Sequence, residues 1–183
     1  ISVFFPLFLM MLLVEGKARL PIVFVMVGIF ISVFASEVNG VLLSMLNITK
    51  YDATITLAPI TEELLKAFPI LFYAVAISDK KETLFTASMA TGIGFAILEN
   101  AYYLIVNYET FSVLSALIRG FGTGLMHGMC TLLVGFGISF IRKRRKLFAV
   151  GIFALLSTAI TYHSIFNMLI QSKHLIFGAL LPL

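Results

Sequence analysis

From Leu20 to Asn47 the chain carries one charged side chain, Glu37, and otherwise runs as apolar and small residues. A stretch this long and this apolar cannot form the surface helix of a soluble domain. Crossing a bilayer takes about 20 such residues, and in hydrocarbon only a helix or a closed barrel satisfies its own backbone. The pattern recurs along the chain, with spans expected at 1–14, 20–47, 52–78, 84–107, 112–140 and 147–171 and a seventh beginning near 175. Both termini fall within apolar runs, so the terminal spans are expected to be incomplete. Of the 183 residues 60% are hydrophobic and 12% charged, against about 45–50% and about 25% in soluble domains. The expected fold is therefore all-α, a polytopic transmembrane helix bundle of about seven spans, with residues 1–183 forming one domain. Cys130 is the single cysteine, which rules out an intrachain disulfide.

The loop charges are asymmetric. Loops 15–19, 79–83 and 142–146 hold Lys17, Arg19, Lys80, Lys81 and the run RKRRK, whereas the opposite loops hold Lys50 and Lys173. The positive-inside bias makes the first three loops cytoplasmic. RKRRK reads as a topology anchor that could also meet anionic headgroups. No nucleic-acid motif accompanies it.

Eight ionisable groups remain inside the spans: Glu37, Glu62, Glu63, Lys66, Glu99, Arg119, His127 and His163. Each such group is costly in hydrocarbon and marks a functional site by default. Glu62 and Lys66 stand at i,i+4 in the favourable order, so a pair between them is expected. That pair leaves Glu63 over, about 100° round the helix. Pro59 and Pro69 bracket this stretch and loosen its hydrogen-bond ladder; Pro59 could instead begin the helix proper, with 51–58 as a re-entrant or interfacial piece. Counted from the outer side, Glu62 and Glu63 lie 11–12 residues in, and Glu99 and His163 lie 8–9. His127 lies about 16 in, but its span is overlong at about 30 residues, and an early start or a tilt lifts it. All five are expected to meet in one layer of the outer half, with Arg119 two turns above His127. Gly120, Gly124 and Gly128 form a small-residue ridge beside His127, expected to admit close helix approach. Tyr102 and Tyr103 suit an interfacial belt.

Two chemistries fit these groups. In one, Glu99, His127 and His163 ligate a divalent metal, with zinc as the candidate, and Glu62 or Glu63 acts as general base. In the other, a glutamate activates water without metal, and donors stabilise the oxyanion. Lys66, Asn100, Thr131, Asn167 and Arg119 are the supporting or oxyanion candidates. Of the two adjacent glutamates Glu63 is favoured as base, because Glu62 has Lys66 to pair with. Catalysis by Cys130 with His127 would leave every glutamate idle. An ion- or proton-coupled transporter or channel is the rival class, although it predicts paired broken segments where one is visible, around 59–69. A non-catalytic scaffold would not need the spare glutamates.

Four motifs in order resemble the PrsW family of intramembrane proteases: Glu62-Glu63-Leu64-Leu65-Lys66, Phe95 through Glu99-Asn100, His127 with Thr131, and His163 with Asn167. The likeness covers residues 55–170. The related type II CAAX prenyl endopeptidases carry FxxxH where this chain has Phe95 and Glu99, which favours the PrsW side of the superfamily. The resemblance implies an integral protein of a prokaryotic cell membrane. It also implies cleavage of a transmembrane protein substrate near the outer face, with anti-sigma factors as the best-known substrate class. It leaves the oligomeric state open.

Overall fold

A computed structural model describes residues 4–107, 109, 112–172 and 175–182. Among these residues the structure is helical throughout, without a strand. A short helix α1 (Phe4–Leu13) precedes the long helix α2 (Arg19–Leu46). A single turn α3 (Lys50–Asp52) then leads through a π-turn, Ala53–Leu57, into α4 (Ala58–Ala76). Helix α5 (Lys81–Val106) follows, then the short α6 (Val113–Ile118), a second π-turn at Arg119–Thr123, and α7 (Gly124–Ile141). Helix α8 (Phe148–Gln171) and the short α9 (Leu175–Leu180) complete the chain. Lys173 lies outside the described residues.

Four helical runs are long and apolar enough to cross a membrane: Gly16–Leu46, Lys81–Val106, Arg119–Ile141 and Phe148–Gln171. Three further spans expected from hydropathy do not reach that standard among the described residues. Helices α1 and α9 are too short as described, and α4 carries Glu62, Glu63 and Lys66 within its 19 residues. Yet α4 packs one face on four other helices, α2, α5, α7 and α8. Its charges face inward, while Leu64, Phe68 and Phe72 point outward.

Two of the basic loops lie together. Arg142 donates to the Val75 carbonyl at 3.2 Å and stands 3.7 Å from Asp79, while Lys81 sits 4.1 Å from the Phe140 ring centroid. Loops 79–83 and 142–146 therefore share one end of the bundle, as their common charge requires.

Helix α5 is clamped between α2 and α7 by direct backbone contact. A Cβ on Gly28 would overlap the Thr91 carbonyl, and one on Gly92 would overlap the carbonyl of His127. Close approach thus depends on these glycines. Of the ridge expected at Gly120, Gly124 and Gly128, only the last takes part: its Cα lies where a Cβ on Gly92 would fall, whereas the first two face open space. Small-residue spacing marks a helix that can pack closely, but not which face does so. Gly92→Ala is expected to push α5 from α7 and lower stability by about 1–3 kcal/mol, which thermal unfolding in detergent measures.

Candidate active site

The π-turn before α4 leaves one carbonyl without a backbone donor. The Ala58 N–H reaches back five residues to the Ala53 carbonyl. The same step would join residue 59 to the Thr54 carbonyl, but Pro59 has no N–H to give. Asn167 of α8 supplies the missing donor, its Nδ2 lying 3.0 Å from the Thr54 oxygen. Asn167, expected as a supporting or oxyanion group, is thus engaged as a staple that fixes α8 to the start of the glutamate helix. Pro59 does begin the regular helix, as one of the two sequence readings has it, while 53–57 remains helical. Asn167→Ala is expected to cost about 1–3 kcal/mol through the orphaned carbonyl. In a Pro59→Ala background the cost should fall, because the backbone regains a donor; a double-mutant cycle by thermal unfolding measures the coupling.

From this anchored start α4 presents Glu62, Glu63 and Lys66 to the interior. Glu63 and Lys66 are fully buried. Lys66 Nζ donates to Glu63 Oε1 at 2.7 Å and to His127 Nδ1 at 2.8 Å, and it lies 4.7 Å from the Phe95 ring centroid. The expected Glu62–Lys66 pair is therefore corrected: the lysine takes Glu63, at i,i+3. Both spacings are sterically open on a helix, and the imidazole of α7 selects between them by offering Lys66 a second acceptor on Glu63's side.

Two carboxylate–imidazole pairs follow. His163 Nδ1–H donates to Glu63 Oε1 at 2.8 Å, which leaves Nε2 as a lone pair facing Glu62 Oε2 at 3.9 Å. An ammonium at Nδ1 makes that nitrogen of His127 an acceptor. Its Nε2–H then donates to Glu99 Oε2 at 2.6 Å. The two imidazoles meet edge to face, with centroids 4.9 Å apart. His127 reaches this layer because it sits in the first turn of α7, after α6 and the second π-turn have used up the surplus length of its expected span.

Glu99 is held from above. Arg119, on the second π-turn, places its Nη2 3.3 Å from Glu99 Oε1 and stacks its guanidinium 3.6 Å over the Tyr103 ring. Tyr103 is joined to the site by this contact, whereas Tyr102 is exposed. Asn100 Nδ2 donates to the Arg119 carbonyl at 3.3 Å. The Thr131 hydroxyl donates to the His127 carbonyl at 2.9 Å, within its own helix, so its one hydrogen is spent there. Cys130 turns away toward α8, its thiol 3.5 Å from the Ala159 carbonyl and 3.7 Å from Met126 Sδ.

These groups adjoin a cavity of about 530 Å³ at the end of the bundle away from the basic loops. Glu62, Glu99, Arg119 and His163 line it, while Glu63, Lys66 and His127 stand behind. Side-chain exposure of 27% for Glu99 and 13% for Glu62, against 1% for Glu63, separates the carboxylates that meet the cavity from the one that does not.

The donor chemistry fits a divalent cation. Glu62, His127 and His163 each offer a ligand atom, all within 4.8 Å of one another. Glu62 Oε2 is buried without a hydrogen-bond partner among the described residues, and a buried carboxylate oxygen is costly without one. Three protein ligands with a remaining open position are the arrangement of a catalytic site. The grouping differs from the expected Glu99, His127 and His163 in its carboxylate, since Glu62 converges with both imidazoles. Sequence spacing could not choose between them, because the two lie on different helices whose rotation it does not specify.

In a comparison with protein families, the model of the PrsW family intramembrane metalloprotease matches residues 16–182. No curated protein and no solved structure matches the chain.

Proposed function

Since this chain belongs to the PrsW family of intramembrane metalloproteases, an intramembrane protease with a membrane-protein substrate, we propose that it hydrolyses a peptide bond within the cavity bordered by Glu62, Glu99 and His163. The observation that carries this reading is the convergence of Glu62, with its partnerless carboxylate oxygen, on two buried imidazoles. Glu62, His127 and His163 would hold the cation, and a donor set of two imidazoles and one carboxylate suits zinc. When bound, such an ion polarises the scissile carbonyl and makes water acidic.

The other residues divide the remaining work. Glu63 fixes the ring of His163 through Nδ1 and keeps Nε2 available, the carboxylate–histidine arrangement that orients ligands. Lys66 compensates the buried charge of Glu63. Glu99, on the cavity wall and 2.6 Å from His127, is the base that takes the proton from the attacking water. Arg119 holds Glu99 in place and offers a cation near the developing oxyanion. Residues 1–183 act as one domain in which α4 also crosses the bilayer, shielded by its neighbours, within a bundle of about seven spans. Loops 15–19, 79–83 and 142–146 are cytoplasmic, the bilayer is a prokaryotic cell membrane, and the cleavage site lies in the outer half. The substrate class is single-span membrane proteins, of which anti-sigma factors are the type that the family suggests.

A second reading follows from one contact set. Both nitrogens of His127 are engaged, by Lys66 and Glu99, so ligation of a cation must open one of them. With these contacts kept, a carboxylate would activate water without metal. Cleavage of a reconstituted single-span substrate, with and without a strong chelator and with zinc added back, decides. Loss in chelator and recovery with zinc support the metal reading. Cleavage unaffected by chelator supports the second, and a wild type that cuts no member of a broad substrate panel overturns both.

A further inference from the structure

Glu37 is the intramembrane carboxylate that the proposed chemistry does not use. It lies on α2, is exposed, and lines the same cavity as Glu62, Glu99 and His163. Its depth follows from a neighbour. The Thr61 hydroxyl of α4 bonds Asn39 Oδ1 of α2, which sets residues 39 and 61 at one level. The two helices run in opposite directions. Two residues back along α2 and two forward along α4, each about 3 Å, bring Glu37 level with Glu63. Glu37 thus stands at the height of the reacting groups, on another wall of the cavity.

Its charge is uncompensated. The cavity wall carries the carboxylates of Glu37, Glu62 and Glu99 against the guanidinium of Arg119. Arg119 is engaged by Glu99, and no described side chain pairs with Glu37. A cation held by Glu62 would offset charge on the catalytic wall and leave Glu37 as before. A carboxylate kept in a membrane span without a partner calls for a positive one.

We propose that Glu37 selects the substrate, docking a lysine or arginine side chain that lies beside the scissile bond. This rests on the protease reading above. The selectivity has a physical logic. Basic residues are uncommon on the outer flanks of spanning helices, so a cationic residue at this depth distinguishes a few membrane segments from the many that are wholly apolar. The pairing also supplies a directed contact, which van der Waals packing against apolar walls lacks.

The test uses the full chain in liposomes as wild type, Glu37→Gln and Glu37→Lys. Its substrates are a set of single-span proteins, identical except for Lys, Gln or Glu at each residue flanking the cleaved bond. At one of these positions the wild type is expected to favour Lys over Glu by roughly tenfold in kcat/KM. Glu37→Gln should level the ratio, and Glu37→Lys should invert it. If all three proteins cut and rank the set alike, Glu37 does not read the substrate and the inference fails. An equal fall on every substrate, with unchanged ratios, overturns it too, because that marks structural damage. If the wild type cuts no member of the set, it is the protease reading that fails, and the inference falls with it.

Discussion

Glu62→Gln is expected to lower cleavage of a reconstituted membrane substrate by at least about a thousandfold, ~4 kcal/mol of transition-state stabilisation. The substitution keeps size and shape and removes one charge. Glu62 makes no hydrogen bond through Oε2 that the amide would break, so thermal unfolding should change little. Bound divalent metal, measured by mass spectrometry after purification, should fall well below that of the wild type. Neighbouring carboxylates should behave differently. Glu63→Gln removes the group that orients His163 and should cost roughly 10–100-fold, the usual effect of a residue behind a metal ligand. Glu99→Gln should abolish turnover and retain the metal. A Glu62→Gln protein that still cuts at the wild-type rate would remove Glu62 from the site and return the ligand role to Glu99.

Lys66→Met is expected to be the most destabilising of these substitutions, by about 3–5 kcal/mol. Methionine fits the volume, so the loss is electrostatic. Glu63 would remain fully buried, with Lys66 gone from its Oε1 and its Oε2 already without a partner. Removing both charges together should undo most of the damage. Lys66→Met combined with Glu63→Gln is therefore expected to unfold near the wild type while remaining inactive, since His163 loses its orienting carboxylate. Thermal unfolding of four proteins in one detergent, the wild type, Lys66→Met, Glu63→Gln and the double substitution, gives the coupling energy. If the double substitution is as unstable as Lys66→Met alone, the charge pair is not what the lysine contributes. Its packing against Phe95 and His127 would then be the cause.

Much of the site was legible before folding because hydrocarbon makes ionisable groups conspicuous. Glu62, Glu63, Lys66, Glu99, Arg119, His127 and His163 stand out from apolar surroundings, and counting depth along each span put them in a common layer. The structure brings these side chains together. Hydropathy was less informative about α4, whose charges conceal a helix that turns them inward against its neighbours. The glycine contacts were read only in part, because repeat spacing draws the eye to Gly120, Gly124 and Gly128 alike. The contacts themselves fall at Gly28 and between Gly92 and Gly128, on faces set by helix rotation. The staple from Asn167 to Thr54 could have been suspected from Pro59, which must orphan a carbonyl, but not assigned to a donor 113 residues away.

By itself the sequence determined the solvent this protein lives in, the helical class, the shared end of loops 79–83 and 142–146 and the roster of charged groups. Each follows from the cost of placing a residue type in hydrocarbon, which acts one residue at a time. Only the tertiary structure decided the pairings: Lys66 with Glu63 rather than Glu62, Glu62 rather than Glu99 converging with the two imidazoles, and Glu37 alone across the cavity. These choices turn on differences of an ångström or two between side chains on separate helices. They depend on the rotation and depth of each helix against its neighbours, which no spacing along one chain contains.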